Sequence, residues 1–291
     1  MRWLDPASQA RLKALSLSPR RAWGAAASAG KHRTMVRGHS RDFAQHRPYA
    51  PGDEVRGIDW KAYARLDRFF VREFRAEDRI PVFILLDCSG SMAYGGPGRS
   101  TKFDVARRLA AGAAWIALSQ GDEVGLVSFS TSARKVLASR AGAGQLPALD
   151  EALTGLQTGG ETDLAGAIGA AADVLPRKGL CVLLSDLMGE TAATLKAARS
   201  LVARRHELLV VRTLDSDERE FPYEGLCLVD GLEGGPQLFL NAGEAAPEYR
   251  AAFARQAAVL EGSFRRAGVA YTVAETDGSW ESALGRLLAR S

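Results

Sequence analysis

Two apolar runs, residues 82–87 (VFILLD) and 180–186 (LCVLLSD), each end in an aspartate. Unbroken branched runs of this length read as strands buried on both faces of a parallel sheet. Between them lies TKFDVARRLAAGAAWIALSQG, where Phe103, Ala106, Leu109, Ala110, Ala113 and Ala117 form one helical stripe. Thr101 followed by Asp104 supplies a start signal and Gly121 a stop. The same alternation continues. Residues 123–130 read as a strand, 134–139 as an edge strand pairing back on it, and 146–156 as a helix with Leu146, Leu149, Leu153 and Leu156 on one side. A Gly-rich loop at 159–164 enters a helix over 163–175. After the second aspartate the pattern predicts a helix at 191–205, a strand at 207–213, a hairpin near 226–240, a helix at 247–267, a strand at 269–274 and a terminal helix. Strands separated by helices imply an α/β fold with a doubly wound, mostly parallel sheet flanked by helices. In such sheets ligands bind outside the carboxyl ends of the strands, where Asp87 and Asp186 fall.

The 291 residues can bury a sizeable core. No stretch approaches the ~18 apolar residues of a membrane span, and the N-terminus lacks the apolar segment of a secretory signal. Cys88, Cys181 and Cys227 show no metal-like spacing, which suits reduced structural thiols in the cytoplasm. Charge is unevenly shared. Residues 1–80 carry 17 Lys+Arg against 9 Asp+Glu, while 81–291 carry 21 against 25. The expected organisation is a basic N-terminal leader, 1–80, packing on a main domain, 81–291, that carries the hairpin as an insertion. The leader's basic residues are interleaved with Asp, Phe, Tyr and Trp, a pattern that favours folding against protein over binding nucleic acid.

The stretch Asp87-Cys-Ser-Gly-Ser91 places a carboxylate and two hydroxyls in one turn, with Gly90 allowing tight curvature. Thr162 comes from the Gly-rich loop and Asp186 from the other strand end. Mg²⁺ seeks about six hard oxygens and keeps several waters. Two carboxylates, directly or through water, with three hydroxyls would hold it and leave a position open for an outside carboxylate. The bland alternative is a polar turn whose Ser and Asp satisfy backbone amides. Asp163 reads as a helix N-terminal charge.

Asp-x-Ser-x-Ser, a distant Thr and a later Asp resemble the metal-ion-dependent adhesion site of von Willebrand factor A domains, which are Rossmann-like. Upstream, Arg47, Tyr49, Gly52, Asp53, Arg56, Ile58, Asp59, Trp60, Ala64 and Arg65 match the leader pattern of the family called domain of unknown function 58. The resemblance implies a binding module rather than an enzyme. Its metal residues would be Asp87, Ser89, Ser91, Thr162 and Asp186, holding Mg²⁺ or another divalent cation. Its expected partner is a MoxR-type AAA+ ATPase, or a client supplying a carboxylate, in protein remodelling or activation. Many relatives carry membrane helices ahead of the leader, and this chain shows none.

Within the leader, Arg47, Asp53, Arg56 and Asp59 suit an ion-pair network, Pro51-Gly52 a turn, and Trp60 packing. His32, His39 and His46 recur every seven residues, but Gly38 and polar surroundings argue for surface histidines. Enzyme motifs fail in detail. GGPGRSTKF lacks the Gly-Lys-Ser/Thr of a phosphate loop. DCSGS has Asp two before Ser89 where a hydrolase elbow needs Gly. The alternative function is a metal-dependent hydrolase or phosphotransferase in the same crevice, for which no motif supplies a general base.

Overall fold

The computed structural model describes residues 1–18, 43–50, 58–74, 79–130, 133–161, 163–174, 179–189, 191–234 and 237–289. The chain divides into two units, Met1–Arg20 with Ile80–Ser291, and Arg21–Arg79. Residues 1–18, read from sequence as leader, thus belong to the larger unit. There Asp5 caps helix α1 (Pro6–Leu12) by accepting from the Ser8 N–H at 2.7 Å, with Pro6 in the first turn where its missing N–H costs nothing.

The smaller unit pairs strand β1 (Phe43–Pro48) antiparallel with β2 (Phe70–Phe74), and helix α2 (Trp60–Leu66) lies between them in sequence. Asp59 caps α2, its carboxylate accepting from the N–H groups of Lys61 and Ala62 at 2.9 and 3.1 Å. Tyr63 stacks on Phe69 with ring centroids 4.5 Å apart, and Trp60 meets both edge-on. Trp60 packs through these ring edges while 58% of it stays exposed. Gly52, Asp53, Arg56, His32 and His39 lie outside the described residues.

The larger unit then runs β3 (Pro81–Asp87), a 3₁₀ turn at Gly90–Ala93, α3 (Lys102–Ser119), β4 (Glu123–Phe129), β5 (Ala133–Arg140), α4 (Gln145–Gly155), α5 (Leu164–Val174) and β6 (Leu180–Ser185). It continues with α6 (Thr191–Ala203), β7 (Glu207–Leu214), α7 (Ser216–Glu220), the hairpin β8 (Leu226–Val229) and β9 (Leu238–Asn241), α8 (Ala242–Arg266), β10 (Ala270–Glu275) and α9 (Trp280–Ala289). Two details differ from the sequence reading. The short α7 was not foreseen, and α8 begins earlier, where Asn241 caps it, so that Pro247 lies inside the helix.

Sheet order is β10-β7-β6-β3-β4-β5, parallel except for the edge strand β5. From β3 the chain first builds outward through β4 and β5, then returns to β3's other side with β6. The order therefore reverses between β3 and β6, which creates a crevice at their carboxyl ends. Side chains alternate across the sheet. Phe83, Leu85, Cys181, Leu183, Leu208 and Val210 face Leu164, Ile168, Leu201, Leu260 and Phe264 of α5, α6 and α8. Helices α3 and α9 pack on the sheet as well, and both meet α1. At their junction Gly112 comes so close that a Cβ would lie 2.7 Å from the Trp280 ring and 3.2 Å from Leu12. Among the described residues no helix is long and apolar enough to cross a membrane.

Candidate functional site

β3 and β6 pair in register, Leu86 opposite Leu184, so the residues that follow each strand emerge side by side. Asp87, the last residue of β3, is fully buried. Its Oδ1 accepts from the Ser89 N–H at 2.9 Å, curling the chain into a tight turn. The turn is strapped to its surroundings by the backbone. The Cys88 N–H donates to the Phe129 carbonyl at 2.7 Å, the Gly159 N–H to Cys88 at 2.8 Å and the Gly90 N–H to Gly160 at 2.9 Å. Ser89 and Ser91 are both buried, with hydroxyl oxygens 3.0 Å apart. Ser91 donates to Glu233 Oε1 at 2.7 Å. A hydroxyl carries one proton, so Ser89 must be the donor to Ser91.

On the β6 side the Ser185 hydroxyl donates to Asp87 Oδ2 at 2.6 Å and accepts from the Leu187 N–H at 3.0 Å. Leu187 has φ of +56°, a left-handed conformation unusual for a branched residue. Asp186 is 1% exposed; its Oδ1 accepts from the Met188 N–H at 3.0 Å and its Oδ2 from Lys102 Nζ at 2.7 Å. Lys102 also donates to Glu218 Oε1 at 2.6 Å, while Glu218 Oε2 accepts from the Asp215 N–H at 3.0 Å in a capping box. Asp215 anchors the far end. It accepts from the Gly96 N–H and from Arg99, and Arg99 also bonds Asp217.

Burial pushes the Asp87 carboxyl up to about 6, Asp186's charge adds to the rise, and the Ser185 and Ser89 bonds offset part of it. For Lys102, burial alone would favour the neutral amine, but the charges of Asp186 and Glu218 outweigh it and hold the ammonium. Burial likewise works against the Asp215 carboxylate, and its donors Gly96, Thr276, Asp217 and Arg99 more than reverse it, leaving the group below its ordinary range. A buried carboxyl whose ionisation is made costlier by a neighbouring carboxylate, as Asp87's is, invites a cation.

The donors are hard oxygens of the kind a small divalent ion takes. Their separations, 3.0 Å for Ser89–Ser91 and 2.7 Å for Ser91–Glu233, are those of ordinary O–H···O hydrogen bonds. Among the described residues no three His, Cys, Asp or Glu side chains gather as a metal centre.

Of the five residues read from sequence, Asp87, Ser89 and Ser91 form one hydrogen-bonded cluster. Asp186 stands beside it, electrostatically coupled to Asp87 while its carboxylate is held by Lys102. Thr162 lies outside the described residues. Sequence reading missed Ser185, Lys102, Glu218 and Glu233. Lys102 had a signal: it sits four and seven residues before Ala106 and Leu109, on the apolar stripe of α3, where a charge needs a buried partner.

A family model described as "Protein of unknown function DUF58" matches residues 45–262. Over 296 aligned positions the chain is 26% identical to the uncharacterized protein Rv1480 of Mycobacterium tuberculosis (strain ATCC 25618 / H37Rv), spanning 98% of this chain and 90% of that protein. The uncharacterized protein Mb1516 of Mycobacterium bovis is 26% identical over the same spans. Among solved structures the chain is similar to conserved hypothetical protein BatB from Bacteroides thetaiotaomicron, at 17% identity and TM-score 0.46 over 73% of this chain and 100% of that one. It is also similar to a von Willebrand factor type A protein from Catenulispora acidiphila, at 16% identity and TM-score 0.41 over 74% and 42% of the two chains. The fold assignment rests on the strand order itself. Because the family match takes in β1, α2 and β2 as well as the strand ends bearing Asp87 and Asp186, the chain belongs to the DUF58 family of proteins of unknown function.

Proposed function

We propose that this chain is a Mg²⁺-dependent protein-interaction module of the von Willebrand factor A type, acting in the cytoplasm with a MoxR-type AAA+ ATPase. The observation that carries this reading is the connected Asp87–Ser89–Ser91 cluster at the point where the strand order reverses. Asp87, Ser89, Ser91 and Thr162 would hold the ion, and Asp186 would act on it directly or through water. A bound divalent ion supplies a hard positive centre with a position left for an acidic side chain. The chain's own part is to align the hydroxyls, keep Asp87 buried and present the crevice at the carboxyl ends of β3 and β6. The ATPase, or its client, would contribute that acidic side chain.

Calorimetric titration of Mg²⁺ into wild type and Asp87→Ala tests the site. Heat of binding in wild type and none in the variant is the expected result; two flat traces would remove the metal. Capture of the ATPase with and without chelator tests the partnership, and chelator-independent capture would separate the two. The hydrolase alternative draws no support from His206. It precedes β7, at the opposite end of the strands from Asp87.

A further inference from the structure

The hairpin β8–β9 projects large apolar side chains into solvent, with Leu226, Leu228, Leu238 and Phe239 all more than half exposed. Its base is closed by the Ala242 N–H donating to Gly225 at 2.8 Å. Its loop, by contrast, is seated on the Asp87–Ser91 turn. The Gly234 N–H donates to Gly231 at 3.1 Å, forming a tight turn with Leu232 and Glu233 at its apex. The Leu232 carbonyl oxygen comes so close to Gly90 that a Cβ there would lie only 2.4 Å from it. From this seat Glu233 Oε1 reaches Ser91 Oγ at 2.7 Å.

From these contacts we infer that Glu233 is an internal ligand of the candidate site, occupying the position that an outside carboxylate would take. This rests on the function proposed above. The apex residue is hydrogen-bonded to one of the two hydroxyls in the cluster, on the open side of the turn that Leu232 covers. A partner's acidic side chain must therefore displace Glu233. Because the hairpin's strands are largely exposed, the loop can lift without opening the sheet. The insertion then both guards the site and, once lifted, leaves its apolar strands beside the incoming chain.

Terbium(III) is the probe, since its luminescence lifetimes in H₂O and D₂O count the waters on the bound ion. Three proteins are compared: wild type, Glu233→Gln and Asp87→Asn. The inference expects one Tb³⁺ in wild type, at least one more bound water in Glu233→Gln with affinity falling about 10- to 100-fold, and no site in Asp87→Asn. Unchanged thermal unfolding of Glu233→Gln would show that the fold is intact. If that variant binds Tb³⁺ with the wild-type water count while Asp87→Asn loses it, the metal site stands and the internal ligand falls. If wild type binds no Tb³⁺, or Asp87→Asn binds it equally, the metal reading fails and this inference fails with it.

Discussion

Lys102 Nζ lies 2.7 Å from Asp186 Oδ2 and 2.6 Å from Glu218 Oε1, with the lysine side chain fully enclosed. The ammonium is thus a cation built into the chain at the edge of the candidate site. It neutralises one carboxylate next to the crevice and ties α3 to β6 and α7. Any divalent ion that engages Asp186 directly must compete with it.

Lys102→Met should therefore act in two directions. In chelator, the loss leaves Asp186 and Glu218 without their shared counter-charge, and breaking such a buried pair costs about 3–5 kcal/mol. With Mg²⁺ present, Asp186 becomes available to the ion, so part of that loss should be recovered. Urea denaturation with and without Mg²⁺ checks both. A variant equally destabilised in the two conditions would show that Asp186 stays apart from the metal.

The strand and helix alternation was legible because each element announces itself within its own residues. The run ending at Asp87 needs burial on both faces, and the stripe from Phe103 to Ala117 needs one apolar neighbour. Three site residues lie within a single turn, so sequence spacing alone brought Asp87, Ser89 and Ser91 together. Ser185 and Glu233 were hidden for the opposite reason. They join the cluster from 98 and 142 residues away, through a strand pairing and a loop seat that local pattern does not encode. Helix α1 was lost in the basic composition of the leader, although Leu4, Leu12 and Leu17 are as buried as any core residue.

Asp87→Asn should stabilise the metal-free protein at neutral pH. Native Asp87 keeps its proton up to about 6, against the ordinary 3.8 of an unfolded chain. Between those values the native state binds more protons, so wild-type stability falls as pH rises and levels off above about 6. The shift corresponds to about 3 kcal/mol. Thermal unfolding in chelator should show that gain for the variant at pH 7.5 and little difference at pH 3.5. Saturating Mg²⁺ should narrow or reverse the order at pH 7.5, because the ion stabilises only the protein that binds it.

Gly90→Ala should unseat the hairpin loop. The added Cβ would meet the Leu232 carbonyl oxygen at 2.4 Å and the Gly160 carbonyl oxygen at 3.4 Å. Leu232 sits on an exposed loop, whereas Gly90 opens a turn that backbone hydrogen bonds strap to Phe129, Gly159 and Gly160, so the loop is the part that moves. Local opening costs less than global unfolding. Hydrogen exchange at the Gly234 amide should speed up about tenfold or more, while amides of β3 and β6 keep wild-type protection. Uniform loss of protection would mean that the turn itself had collapsed.

Leu12→Ala tests whether the N-terminal residues belong to the folded body. Leu12 is fully buried where α1 meets α3 and α9, close to Gly112 and Trp280. The chain ahead of it is tied down too. The Arg2 and Trp3 N–H groups donate to Asp150 at 3.0 and 3.1 Å, and the Trp3 indole donates to Thr154 at 3.0 Å. Truncating a buried leucine removes transfer free energy and leaves a cavity, which together cost about 2–5 kcal/mol. Denaturant unfolding should show that loss with an unchanged m-value. Metal affinity should stay at wild type, because the hydrogen bonds that hold the Asp87 cluster come from Ser89, Ser91, Ser185 and Glu233 rather than from α1. A Leu12→Ala protein as stable as wild type would mean that residues 1–18 only rest on the surface.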